Sequence, residues 1–287
     1  MFVDGNVELA VDAHCPLGES PVWDPRSHEL VWVDIRGGVL YRWGPGMLTN
    51  EEVVIGRFLT AVALRRKGGY ALATRSGFAF LEADGTFGMI AEVEADVVAN
   101  RMNDGKCDPR GRFWAGTMSE DHAPAAGALY RLEVNGGVAR VLEGVTVSNG
   151  LDWSIDGRTM YYVDSYSYGL DAYDFEAETG ELRAKRRVVD IDPRQGLADG
   201  ITVDEEGLIW VALHSGGAVH RYRPDGVLDR RVELPVPIVT SCTFGGKDLK
   251  ELFITTAISN DVSAEHAGGV FCYQAGVAGL PARWYEG

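Results

Sequence analysis

The chain has 287 residues, and its 27 Lys and Arg against 42 Asp and Glu give a formal charge of -15. Such an acidic surplus repels phosphate backbones and anionic lipid surfaces, so neither nucleic acid nor a membrane is an expected partner. The longest apolar run, "LIWVAL" at Leu208–Leu213, falls far short of the roughly 20 residues of a membrane-crossing helix, and "MFVDGNVELAVD" has no basic-then-apolar leader, so the expected address is cytoplasmic.

In chain order, the first predicted element is a lone strand at about residues 7–12, in "NVELAVD". Then comes "SPVWDPRSHELVWVDIRGGVLYRW": a short apolar strand, a polar turn, an aromatic-rich strand, a Gly-Gly turn and a third strand ending in aromatic and basic residues. The same sentence returns, more weakly, in "AVALRRKGGYALATRSGFAFLEADG", then in "DGKCDPRGRFWAGTM" with "GALYRL", in "NGLDWSIDGRTMYYVDSYSYGLDAYDF", in "DGITVDEEGLIWVALHSGGAVHRYRPDG", and finally in "SCTFGGKDLKELFITTA" with "GGVFCYQ". The first turn residues of the copies are Asp24, Arg65, Asp108, Ser154, Asp204 and Gly245, spaced by 41, 43, 46, 50 and 41 residues. That period belongs to four-stranded propeller blades. The expected fold is therefore all-β, a six-bladed β-propeller forming one domain over residues 1–287, with the N-terminal strand completing the last blade so that no sheet edge stays open. Trp23, Trp32, Trp114 and Trp210 recur at blade positions and read as packing between blades. The four cysteines (Cys15, Cys107, Cys242, Cys272) lack CxxC spacing and read as reduced thiols in the core.

Five residues before each marker stand Glu19, Thr60, Asn103, Asn149, Asp199 and Thr240, all with a side-chain oxygen. The first strand of each blade lines the central channel, so one phase of the repeat forms a ring at one mouth. Any single member is an ordinary turn residue. Together they offer carboxylate, amide and hydroxyl oxygens without soft donors, the ligand chemistry of a hard divalent cation. Two carboxylates crowded there without a cation would repel each other. The ring therefore reads as a site for one divalent metal, with Ca²⁺, Zn²⁺, Mg²⁺ and Mn²⁺ all compatible.

The stretches "LGESPVWD", "NRMNDGKCDPRGRFWAGTM", "SNGLDWSIDGRTMYYVDS" and "LADGITVDEEGLIWVA" resemble the signature segments of the SMP-30/gluconolactonase/luciferin-regenerating family of regucalcin-like propellers. The resemblance runs along essentially the whole chain. It implies that Glu19, Asn149 and Asp199 hold a divalent cation, that Asp199 is the catalytic base, and that Arg101, Asn103 and Glu120 contact substrate. It also implies a metal-dependent lactonase opening sugar aldonolactones to aldonic acids. Two departures are visible: "LGES" carries Ser where Gly is commoner after the Glu, and "SED" sets Glu120 beside Asp121 as rival acids. The base at work is either Asp199 or a metal-activated water that Asp199 orients. Substrate choice is expected to lie in loops around residues 119–127 and 164–170.

Other chemistries find less support. His28-Glu29 begins an HExxH pattern, but Trp32 stands where the second His belongs, and GxSxG, Walker A and GxGxxG motifs are missing. His214 and His220 read as satisfied sheet or loop residues. Two alternatives stay open: a phosphotriester or fluorophosphate hydrolase using the same cation, and a non-enzymatic calcium-binding propeller. The expected partner is a small sugar lactone, and the assembly a monomer or small homo-oligomer.

Overall fold

The computed structural model describes residues 7–56, 58–259 and 262–287. They form six four-stranded antiparallel sheets, with single 3-10 turns at Ser165–Ser167 and Pro193–Gln195. Five blades use consecutive strands, covering residues 18–54, 59–92, 100–145, 148–190 and 197–233. The sixth joins Val239–Gly245, Glu251–Thr256 and Val270–Gln274 to the N-terminal strand Val7–Val11, which pairs antiparallel with Val270–Gln274. The protein is a six-bladed β-propeller, as the repeat implies.

The repeat's chemistry explains the local structure. In blades three and five the marker aspartate is fully buried and holds the turn that follows it. Asp108 accepts the Arg110 and Arg112 backbone N–H groups, the Arg112 guanidinium and the indole of Trp114. Asp204 does the same for Glu206, Leu208, Trp210 and Arg221. A buried carboxylate that accepts this many hydrogen bonds fixes the turn and the aromatic ring together. The rings then pack across blade boundaries. Trp23 stacks on Phe253 at 5.7 Å, Trp114 meets Trp153 at 5.9 Å, and Trp210 meets Phe244 at 5.9 Å. Trp32 differs, stacking on Tyr41 of its own blade at 5.2 Å.

The first strands of neighbouring blades contact one another around the channel. Each also shifts register against its second strand once: between Glu19 and Val22, Leu59 and Ala61, Met102 and Gly105, Ser148 and Leu151, Ala198 and Ile201, and Val239 and Ser241. Five of the six oxygen-bearing ring positions fall inside these irregularities, and Glu19 borders the sixth. A bulge adds a residue to one strand and re-aims its side chain, so a regular sheet can turn a polar side chain inward here without losing its ladder elsewhere. Close approach of the inner strands requires glycine at two of these sites: a Cβ on Gly150 would lie 2.4 Å from the Asp199 carbonyl oxygen, and one on Gly200 2.0 Å from Ser241 Oγ. Blade one departs from this pattern. Ser20 takes left-handed backbone at φ 49°, and its Oγ accepts the Val62 N–H of blade two at 3.0 Å.

The last residues close the other end of the channel. Beyond Gln274 the chain crosses blade five, where Glu205 N–H donates to the Ala278 carbonyl, and reaches blades two and three through Arg66 N–H to Tyr285 and Glu286 N–H to Gly111. On the way, Leu280–Arg283 line the channel farther along the inner strands, and Arg283 meets Asp152 at 3.0 Å beside Lys106. The ring of oxygens is thus reached from the opposite mouth.

Candidate metal and substrate site

At that mouth lies a cavity of about 290 Å³ whose lining includes Glu19, Arg101, Asn103, Asn149 and Asp199. Five residues from four blades, named from the sequence, meet in one place. The two remaining ring positions do not join them. Thr240 spends its hydroxyl on the Gly18 carbonyl and on Thr255, while Thr60 is fully buried away from the cavity. The ring is therefore four-sided in its chemistry.

Glu19, Asn149 and Asp199 are each about 95% buried. Burial pushes the Asp199 carboxyl well above its ordinary range, and the neighbouring Asp104 adds to this; the Asn149 amide, Arg101 and the Gly200 N–H pull the other way. Glu19 is raised in the same direction by burial, then by Asp199 and Asp104, against one hydrogen bond from the Ser20 N–H. These are carboxylates short of positive charge. Of the residues lining this cavity, Asn149 and Asp199 each bury an Oδ1 without a hydrogen-bond partner. Buried polar atoms in folded proteins are nearly always satisfied, so orphans on one cavity are the acceptors a bound group would use. Among the described residues no three His, Cys, Asp or Glu side chains are grouped to hold a metal. The donor set that fits is mixed: two carboxylates and one amide oxygen, all hard donors that suit a divalent cation with open positions for substrate and water.

The neighbouring residues hold that set in place. Asn149 Nδ2 donates to Ser165 Oγ at 3.0 Å, and that hydroxyl donates to the Ala198 carbonyl at 2.7 Å. That contact fixes the amide plane and leaves Oδ1 without a hydrogen-bond partner. Asn103 Nδ2 donates to the Ser148 carbonyl at 2.8 Å, which leaves its Oδ1 to take the Arg101 guanidinium at 2.7 Å. Arg101 also donates to the Met102 carbonyl, and its burial lowers its pKa to about 10.

Glu120 stands apart from the other five. It lines an adjoining outer recess and not the cavity, and Arg75 grips its carboxylate at 2.8 and 3.0 Å, holding its pKa below the usual range. Its rival Asp121 lines neither space and accepts the Ser119 hydroxyl. Of the polar residues lining the cavity, Arg36 escaped the sequence reading, while His122, Ser165 and Tyr166 lie in the two loops it singled out without being named there. His214, read as a sheet residue, also lines the cavity, with its pKa lowered by burial and then by His122 and Arg36. The loops around 119–127 and 164–170 meet over the mouth, where His122 Nδ1 and Tyr166 Oη are 2.8 Å apart. Residues 119–127 and 164–170 carry no periodic signal beyond their place between strands, which is why only their location was legible.

Comparison with known proteins agrees with the propeller fold. The SMP-30/gluconolactonase/LRE-like family model matches residues 17–258. Regucalcin of Oryctolagus cuniculus is 39% identical over 294 aligned positions, covering 98% of each chain. Among solved structures, a luciferin-regenerating enzyme superposes with a TM-score of 0.91 at 30% identity, covering 98% of this chain and 99% of that one. A calcium-binding protein, regucalcin, from Agrobacterium tumefaciens gives 0.93 at 28% identity, covering 99% and 98%. The chain belongs to the SMP-30/gluconolactonase/LRE-like family.

Proposed function

We propose that the protein is a divalent-metal-dependent lactonase that opens sugar aldonolactones to aldonic acids. The observation that carries this reading is the pair of buried, unpartnered acceptors Asn149 Oδ1 and Asp199 Oδ1 beside Glu19 in a cavity of small-molecule size. Family membership supports it, since gluconolactonase stands in the family's own description. In this reading Glu19, Asn149 and Asp199 hold the cation. The chemistry a bound divalent cation supplies is Lewis-acid polarisation of the lactone carbonyl. Asp199, kept in a dry and electron-rich corner, accepts the proton of the attacking water or orients that water. Arg101 and Asn103, already tied to each other, offer a fork of donors and an amide to the ring hydroxyls. Leu17, Ile35 and Met118 form apolar wall that excludes bulk water.

Proton release from aldonolactones, corrected for spontaneous opening, tests the reading directly. Asp199→Ala is expected to lose activity by about 10²–10⁴-fold with a folded structure retained. Activity that survives the substitution would sink the assignment of Asp199. A second reading, calcium binding without turnover, is favoured by the description of the Agrobacterium neighbour as a calcium-binding protein. It would gain if metal stabilises the protein while neither lactones nor phosphotriesters react.

A further inference from the structure

The mouth of the site has the opposite charge from its floor. Two arginines, Arg36 and Arg101, line both the inner cavity and the outer recess of about 420 Å³ that adjoins it. Neither forms an ion pair with a carboxylate among the described residues; Arg101 is tied to a carbonyl and an amide, and for Arg36 only the backbone N–H is engaged, by Asp34. The one acid of the recess, Glu120, is already neutralised by Arg75. This contrasts with a chain of net charge -15 in which nearly every other arginine of the described residues is paired. An exposed guanidinium with no ion-pair partner among the described residues, beside a second one, attracts anions and repels cations at this rim of the cavity. The two groups also feel each other, since Arg36 helps to lower the pKa of Arg101 and of His214.

A neutral lactone ring has no use for the second guanidinium. We infer that Arg36 anchors an anionic group on the substrate, so that the preferred lactones are acid sugars carrying a carboxylate or phosphate at the end remote from the ring ester. This rests on the lactonase reading and narrows its substrate class. The ring carbonyl would lie toward Asp199, with the anion reaching out to Arg36 in the recess. Phe58, Ile35 and Leu17 line the recess with apolar surface, where a charge-assisted pair is worth more than in open water.

The test compares kcat/KM for a neutral aldonolactone, an aldarolactone bearing a free carboxylate, and a phosphorylated aldonolactone, in wild type and Arg36→Gln. The wild type is expected to prefer at least one acidic lactone, and the ratio of acidic to neutral kcat/KM is expected to fall about 10- to 100-fold in the variant. The arm that shows the preference identifies carboxylate or phosphate as the anion. A wild type that favours the neutral lactone, or a ratio unmoved by Arg36→Gln, overturns the inference and leaves the lactonase reading standing. If no lactone turns over, that reading fails instead, and calorimetric binding of the aldarate dianion decides the inference: binding weakened in Arg36→Gln supports the anchor, and equal or absent binding removes it.

Discussion

Asp199 was conspicuous in the sequence as an Asp-Gly pair ahead of an apolar strand, and its chemistry follows from where the fold puts it. Its carboxyl is buried and raised in pKa by burial first and by Asp104 second, and it in turn raises Glu19. A group whose folded pKa is raised contributes most to stability below its unfolded value, about 4 for Asp, and that contribution is lost as pH rises through the folded value. The metal-free protein is therefore expected to lose thermal stability as pH rises above the ordinary carboxylate range, and Asp199→Asn to flatten that loss. Thermal melts of chelated protein across this rise check it; a wild type as stable at the high end as the variant would contradict the account. Neutralising Asp199 should thus stabilise the empty protein while abolishing its activity, because the strain at this residue belongs to function.

At the scale of the strand, the repeat made the six inner segments legible and the bulges did not. Alternation and turn residues place "NGLDW" or "DGITV" in a strand, but they do not reveal that register slips between Ser148 and Leu151 or between Ala198 and Ile201. The phase of the oxygens was therefore readable, whereas which of them face the cavity depended on packing: Thr240 turns to the Gly18 carbonyl, and Asn149 faces inward because Ser165 holds its amide nitrogen. Glu120 illustrates the same limit, since its distance from the cavity is set by Arg75, 45 residues away in sequence. Ring closure is the element-level consequence with the clearest test. The strand Val7–Val11 supplies the fourth strand of the last blade through pairs such as Val7 with Tyr273 and Leu9 with Phe271. Deleting it would expose the edge of Val270–Gln274 and is expected to lower Tm by about 10 °C or more. A deletion variant that melts with the full-length protein would show that the ring closes without it.

Across the whole molecule, six similar sheets surround a channel whose two ends are treated differently. One end is covered by the C-terminal stretch, with Arg283 and Lys106 balancing Asp152. The other end keeps Glu19 and Asp199 without a cationic partner at contact distance, an imbalance that the sequence's charge total conceals. The fold and the phase of the six ring oxygens were legible because both follow the repeat; the place of Arg36 at the rim was not, because it lies outside the repeat's pattern.

The chemistry proposed for the cavity requires a bound cation. The direct measurement is calorimetric titration of Ca²⁺, Zn²⁺, Mg²⁺ and Mn²⁺ into chelated wild type and into Asp199→Asn. One divalent ion bound per chain by the wild type, with affinity lost or greatly weakened in the variant, is the expected result. No binding by the wild type, or binding that Asp199→Asn leaves untouched, would contradict the site built from Glu19, Asn149 and Asp199.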